Sequence, residues 1–325
     1  DRRDPTVNAN GPLYGAPELS TDEFPVFDPV NNTAWTFTAP VRDDNTPSAA
    51  TTPPSAPSPY WGEEILWDSK ANAHNPILDQ DGRVWYTARI RGPENPDFCK
   101  QGSDHPSAQL FPTQRAGRHL SVYDPQTEQY TFIDTCFSTH HLQFAYDDNN
   151  TLWTSGGGPV EGWLDTRVFL ESGDAVASQG WSPLILDTNG NGQIDEWVEP
   201  GEDLDLGKDM RVNAGFYAVM PNPADGSVWG SNAFGYPGAL VRFDPQTGLG
   251  EKFNVPLPGY GSRGADIDKN GVVWVSLGSG HLGEFDRSKC TGPLNGPTAT
   301  GDHCPEGWTF HRLPGPGFQE LPEDS

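Results

Sequence analysis

The sequence predicts an all-β chain of the β-propeller type, and three observations carry that prediction. One short unit is rebuilt four times, at residues 74–85 (HNPILDQDGRVW), 141–153 (HLQFAYDDNNTLW), 217–229 (YAVMPNPADGSVW) and 263–274 (RGADIDKNGVVW). Each copy has a polar head, a short apolar run, a tight turn of Asp, Asn and Gly, and a strand opening on Trp. Repetition of one supersecondary unit marks a propeller or a solenoid. The 37 glycines and 32 prolines make up about a fifth of the 325 residues, a density that suits many short strands joined by turns. Long amphipathic helical stretches are absent, so little helix is expected.

Taken in order, residues 24–40 (FPVFDPVNNTAWTFTAP) match the outer half of the later units, 119–134 (HLSVYDPQTEQYTFID) and 239–256 (ALVRFDPQTGLGEKFNVP). Alternating apolar residues around an Asp-Pro turn describe an outer hairpin, so the chain enters in mid-unit. Residues 41–60 are rich in Pro, Ser and Thr and too poor in apolar side chains to pack a core. Complete units follow at about 61–136, 137–207, 211–256 and 261–315, with loop excursions at 91–118, 165–210 and 287–306. The expectation is a single propeller domain over residues 1–325. Four units and a half do not close a ring of the usual kind. Degenerate strands within 1–23 and 41–66, a longer parent product, or a partner chain completing the ring would each resolve this; the longer product is the reading adopted.

Against 20 basic side chains stand 45 acidic ones, a net charge of −25. Such a surface repels phosphate backbones and anionic lipid, which excludes nucleic acid as the expected partner. No apolar run reaches the ~18 residues of a membrane span, and the first residues, DRRDPTVNANG, lack the apolar core of a signal peptide. A soluble chain, with no membrane insertion and any leader already removed, is expected. Four cysteines allow three connectivities. Local pairing of Cys99 with Cys136 and of Cys290 with Cys304 is expected, since each bridge would pin a long excursion within its own unit. Structural disulfides indicate an oxidising compartment, extracellular or periplasmic. Neither pair has the close spacing of a zinc site.

Two constellations carry chemistry. Residues 187–199 (DTNGNGQIDEWVE) place Asp187, Asn189 and Asn191 at positions 1, 3 and 5, Gly192 at 6, the Gln193 carbonyl at 7 and Ile194 at 8 of a calcium loop. Val198 stands at position 12, where a bidentate acid is the rule, so Asp195, Glu196 or Glu199 would have to close the shell. A structural Ca2+ held by Asp187, Asn189, Asn191, Gln193, Asp195 and Glu199 is expected. The second constellation is the head of each unit. Aligned on Trp, with one extra residue allowed in two of the turns, His74, His141, Tyr217 and Arg263 occupy one position. In a propeller, equivalent positions converge at one mouth of the central channel, as a small-molecule pocket requires. His74 and His141 would act as ligands of a second divalent metal or as bases, Tyr217 as proton donor and Arg263 as clamp for an anionic or carbonyl oxygen. His140 points to the opposite face if its segment is extended, which makes it the weaker candidate for a third ligand. His119 and His281 head third strands and read as structural; His105, His303 and His311 sit in decorations. Serine-nucleophile elbows, H-E-x-x-H, P-loop and haem-attachment motifs are absent.

With the units laid out, H-N-P-I-L-D-Q-D-G-R-V-W-Y-T resembles the blade repeat of the streptogramin (virginiamycin B) lyase family, which implies a seven-bladed propeller. HNPILDQDGRVWYTARIRG, THHLQFAYDDNNTLWTSGGG, DTNGNGQIDEWVEP and GDHCPEGWTF are similar to a group of secreted bacterial lyase-like proteins, a likeness covering most of residues 10–318. Relatives in that group are longer at both ends, which fits the incomplete blade count. The lyase resemblance implies a catalytic histidine at the position of His74, glutamates two residues before it and three after the repeat Trp, and a magnesium ion nearby. Here those glutamate places hold Asn72 and Ala88, Thr139 and Gly156, and Gly261 and Leu277. The functional expectation is a metal-assisted, lyase-like enzyme acting on a small extracytoplasmic molecule. Its rival is a non-catalytic propeller serving as recognition or scaffold subunit of a larger assembly.

Overall fold

The computed structural model describes residues 3–49, 59, 62–63, 68–213, 215–233 and 235–314. The fold is a β-propeller whose blades are mainly antiparallel sheets in chain order. The first sheet joins β1 (Leu13–Tyr14), β2 (Glu23–Asp28) and β3 (Thr33–Thr38), so the half unit read from the sequence gains one short strand. The second is the meander β4 (His74–Leu78), β5 (Val84–Ala88), β6 (His119–Asp124) and β7 (Gln129–Ile133). The third contains β8 (Leu142–Phe144), β9 (Thr151–Thr154), β10 (Val160–Asp165) and β11 (Gln179–Pro183).

The excursion that follows the third sheet behaves differently from a loop. Its strands β12 (Ile185–Leu186), β13 (Trp197–Val198) and β14 (Asp209–Arg211) extend the next blade, formed by β15 (Val219–Pro221), β16 (Val228–Asn232), β17 (Ala239–Phe243) and β18 (Leu249–Asn254). β12 runs parallel to β18, and the whole sheet has the order β13-β14-β12-β18-β17-β16-β15. The last sheet is β19 (Ser262–Ile267), β20 (Val273–Leu277), β21 (His281–Phe285) and β22 (Trp308–Arg312). The α-helices among the described residues are two, α1 (Pro106–Leu110) and α2 (Thr166–Ser172), and no helix there is long and apolar enough to cross a membrane.

The repeat has a physical reason. Asp79 caps its own turn by accepting the amide hydrogens of Asp81 and Arg83, and it also accepts the indole N–H of Trp85 at 3.0 Å. Asp268 repeats this with Asn270, Val272 and Trp274. Three residues before each repeat Trp the backbone turns left-handed, at Gly82 (φ 81°), Asn150 (φ 51°), Gly226 (φ 75°) and Gly271 (φ 82°). Glycine adopts that region freely and asparagine tolerates it, which is why the turn reads D-x-x-G in the first and last units, D-x-x-N in the second and N-P-A-D-G in the third. The indoles of Trp85 and Trp229 are then driven into the core, where they are fully buried.

By its internal contacts the chain divides into two compact units, Asp1–Phe144 with Gly162–Trp181, and Ala145–Glu161 with Ser182–Ser325. In the first, Phe24 and Tyr86 stack with ring centroids 4.5 Å apart and Phe37 stacks on Tyr123 at 4.0 Å, joining the first two sheets. In the second, Trp229, Phe253, Val275, Phe285 and Trp308 pack one core between the last two sheets. Both expected disulfides are formed, Cys99–Cys136 in the first unit and Cys290–Cys304 in the second, with Cα atoms 5.3 and 5.1 Å apart. Each closes an excursion on its own blade.

Candidate functional site

In the first unit the blade geometry gathers three imidazoles. β4 opens at His74 with an irregular register: His74 pairs with Thr87, and the next regular pair is Ile77 with Trp85. Asn75, at φ 47°, takes up the extra residue and accepts the Leu142 amide hydrogen at 3.2 Å. The Thr87 hydroxyl, two residues after the repeat Trp, lies 3.2 Å from the His74 carbonyl and 3.1 Å from that of His140. These contacts fasten the head of one blade beside the head of the next. Ser231 Oγ donates in the same way to the carbonyl of Arg263, so the hydroxyl two residues after Trp is a recurring blade clamp.

His74, His140 and His141 each offer a ring nitrogen, and these atoms all lie within 4.8 Å of one another. The His74 and His140 rings stack with centroids 4.5 Å apart, His141 stands 5.3 Å from His74 and 4.1 Å from His140, and all three are half-buried. His140 therefore joins the cluster, contrary to the alternation argument. Residues 138–141 are not strand, and β8 begins only at Leu142, so side chains there do not alternate between faces. The adjacent histidine pair was the signal in the sequence that the strand assumption hid.

A polar shell supports the cluster. Glu18 Oε1 lies 3.2 Å from His74 Nδ1, and Arg118 donates to Glu18 at 2.8 Å and to Asn72 at 2.9 Å. The Glu18 backbone is fixed by its own N–H donating to the Ala73 carbonyl. Burial opposes ionisation of Glu18, but the Arg118 hydrogen bond and the neighbouring His74 outweigh it and hold the carboxyl below its ordinary value. Burial pushes His74 down, with Arg118 and His141 acting in the same direction against Glu18. Burial, together with His141 and His74, pushes His140 down to about 3. Both rings are thus neutral near pH 7, the form that ligates metals. A carboxylate facing Nδ1 of His74 favours the tautomer that leaves a lone pair on Nε2. Nothing in the sequence flagged Glu18, which comes from a stretch without repeat or motif.

Magnesium, implied by the lyase resemblance, does not fit this cluster. Three ring nitrogens and no carboxylate oxygen compose it, whereas Mg2+ takes oxygen ligands. Imidazoles suit zinc, copper, iron or nickel.

The other two head residues lie in the second unit and also meet. Arg263 donates to the Tyr217 hydroxyl at 3.2 Å and its guanidinium lies 4.9 Å over the Tyr217 ring. Among the remaining histidines, His119 is fully buried at the start of β6 and His281 sits at the start of β21 against Ser279, each at the head of its strand.

The second unit also holds the acidic loop. Asp187, 5 % exposed, accepts from the amides of Gly190, Asn191 and Gly192. The Asn189 and Asn191 amides both donate to Asp195 Oδ2, and Gln193 N–H donates to Asn191 Oδ1. Glu199 is occupied elsewhere: it accepts from Trp197 Nε1 at 2.9 Å and pairs with the Arg211 guanidinium.

No protein-family model matches the chain, and no curated protein sequence matches it. Among solved structures, virginiamycin B lyase from Staphylococcus aureus superposes with a TM-score of 0.51 at 10 % identity, over 96 % of this chain and 69 % of that one. A streptogramin B lyase structure gives 0.42 at 12 % identity over 75 % of this chain and 55 % of that one. A catalytically inactive variant of the S. aureus enzyme with quinupristin gives 0.47 at 11 %, over 92 % and 65 %. The chain thus spans between 55 % and 69 % of the length of these structures. The first likeness shows the shared propeller fold.

Proposed function

We propose that the chain is an extracytoplasmic, metal-dependent enzyme of lyase type whose centre is His74, His140 and His141. The observation that carries the reading is the convergence of three ring nitrogens within 4.8 Å, from two blade heads. Two of the rings, His74 and His140, are held neutral by burial and by neighbouring positive charge, so a cation need not compete with protons near pH 7. Bound there, a divalent transition metal would supply Lewis-acid polarisation of a carbonyl oxygen. The protein's own part is to orient the imidazoles through Thr87, Asn75 and Glu18, and to hold the His74 ring in one tautomer. Lyase chemistry enters from the likeness to virginiamycin B lyase, and the extracytoplasmic setting from the two disulfides.

A second reading has its own support in the Glu18–His74 contact of 3.2 Å. A carboxylate that orients a neutral imidazole makes a general base, and His74 would then act without a metal.

The test is turnover of a panel of small esters and lactones, with products weighed by mass spectrometry. A lyase leaves products whose masses sum to that of the substrate, while a hydrolase adds one water. Activity restored to chelator-treated protein by Zn2+ or Co2+, and lost in His140→Ala, supports the metal-dependent reading. Full activity after chelation with loss in Glu18→Gln supports the general base. An absence of turnover together with an absence of metal binding removes both.

A further inference from the structure

We propose that the loop 187–195 and Asp209 together form a seat for a hard divalent cation of the calcium class, with Asp209 as the acid that closes the shell. The inference is independent of the histidine centre, which lies in the other unit. The loop alone supplies oxygen donors of the right kind from Asp187, Asn189, Asn191 and the Gln193 carbonyl, but its twelfth position is Val198 and Glu199 is taken by Arg211. An acid from elsewhere is therefore needed.

Topology brings one there. β14 lies between β12 and β13, antiparallel to the first and parallel to the second. The loop leaves β12 and re-enters at β13, so it must pass over the start of β14, and Asp209 is the first residue of that strand. Its backbone N–H donates to the Glu196 carbonyl at 2.9 Å. Its side chain faces the loop, because Oδ2 accepts the Asp195 N–H at 2.9 Å.

The second observation points to a ligand. Asp209 is fully buried, yet Oδ1 has no hydrogen-bond partner. A buried carboxylate oxygen left unpaired is costly, and here Asp187 and Asp195 add negative charge to the same small volume. A cation among these oxygens satisfies Oδ1 and offsets the repulsion at once.

The seat also has a structural reach. Asp187 accepts from Asn295 Nδ2 at 3.1 Å through its side chain and from the Gly296 N–H at 2.6 Å through its carbonyl. Both donors belong to the excursion closed by Cys290–Cys304. Holding Asp187 in place would therefore hold that excursion against the loop.

The experiment uses the whole protein stripped with EGTA and then titrated with Ca2+ by calorimetry, and with Tb3+ by luminescence sensitised through Trp197. Expected are a single calcium site, Tb3+ emission displaced by Ca2+, slower amide exchange at Gly296 with Ca2+ present, and affinity lowered on the order of tenfold or more in Asp209→Asn, while Glu199→Gln binds as the wild type does. If Asp209→Asn does not fold, the surface variant Asn191→Ala carries the test and must weaken binding too. The inference is overturned if wild type shows neither heat nor displaceable emission, if Asp209→Asn binds as tightly as wild type, or if Glu199→Gln abolishes binding and Asp209→Asn does not.

Discussion

The two units gather metal-ligating side chains by opposite routes. In the first, three imidazoles from two blade heads meet because the repeat places equivalent residues side by side. In the second, one contiguous loop supplies most of the oxygen donors, and a strand crossing beneath it supplies a buried acid. The first set is nitrogen-rich and half-buried, and suits a borderline metal. The second is oxygen-rich and carries net negative charge, and suits a hard one. A cluster built by repetition depends on blade register, whereas a cluster built by a local loop depends on a few turn residues and one long-range partner.

The largest expected effect is at the shared ring. His140→Ala should weaken Zn2+ or Co2+ binding by about 100-fold or more, since loss of supporting contacts alone commonly costs 10- to 100-fold. His281→Ala, a control on another strand head, should leave binding intact. Equal loss in both variants would mean that unfolding, not ligation, is being read.

The buried acids of the second unit sharpen the contrast. Glu161 is fully buried, its Oε1 accepts the Phe216 N–H and its Oε2 has no partner; burial pushes its carboxyl well up. The unfolded chain releases this proton near pH 4.5, while the folded chain keeps it, so the folded state loses stability as pH rises above that point, by up to about 1.4 kcal/mol per unit. Glu161→Gln removes the loss, and its advantage over wild type should open above pH 4.5 and widen with pH in chemical denaturation. Asp209→Asn should show the same sign in EGTA and the opposite sign in Ca2+. A gain under both conditions would make Asp209 another protonated acid and erase the difference between them.

Two smaller effects address how the histidine cluster is held. Glu18→Gln keeps the shape but removes the charge beside His74, and should cost about 10-fold in metal affinity. Thr87→Val deletes a buried hydroxyl placed between the His74 and His140 carbonyls. It should destabilise the fold by about 1–3 kcal/mol, read from denaturant midpoints, with a parallel drop in metal affinity. Destabilisation with unchanged affinity would confine Thr87 to the scaffold.

Much of the fold was legible because the blade repeat is local: Asp79, Gly82 and Trp85 lie within seven residues and determine one another's places. The disulfides were legible because each closes its own excursion. The sites were legible only in part. His74 and His141 stood out by register, but His140 was set aside by an alternation rule that applies within strands, and its segment is not strand. Glu18 and Asp209 were invisible because each reaches its site across the fold from a segment with no motif. The excursion at 165–210 also looked like a loop, yet it carries α2 and β11, the latter completing the third sheet, and then β12, β13 and β14, strands of two or three residues that carry no periodicity and extend the next blade.

The most direct test of the three-histidine centre is Co2+ titration of the EGTA-treated wild-type protein followed by visible absorption. One equivalent should produce ligand-field bands of a nitrogen-rich site, displaced by Zn2+ and absent in His140→Ala. Bands that fail to appear in wild type, or that persist unchanged in His140→Ala, would contradict it.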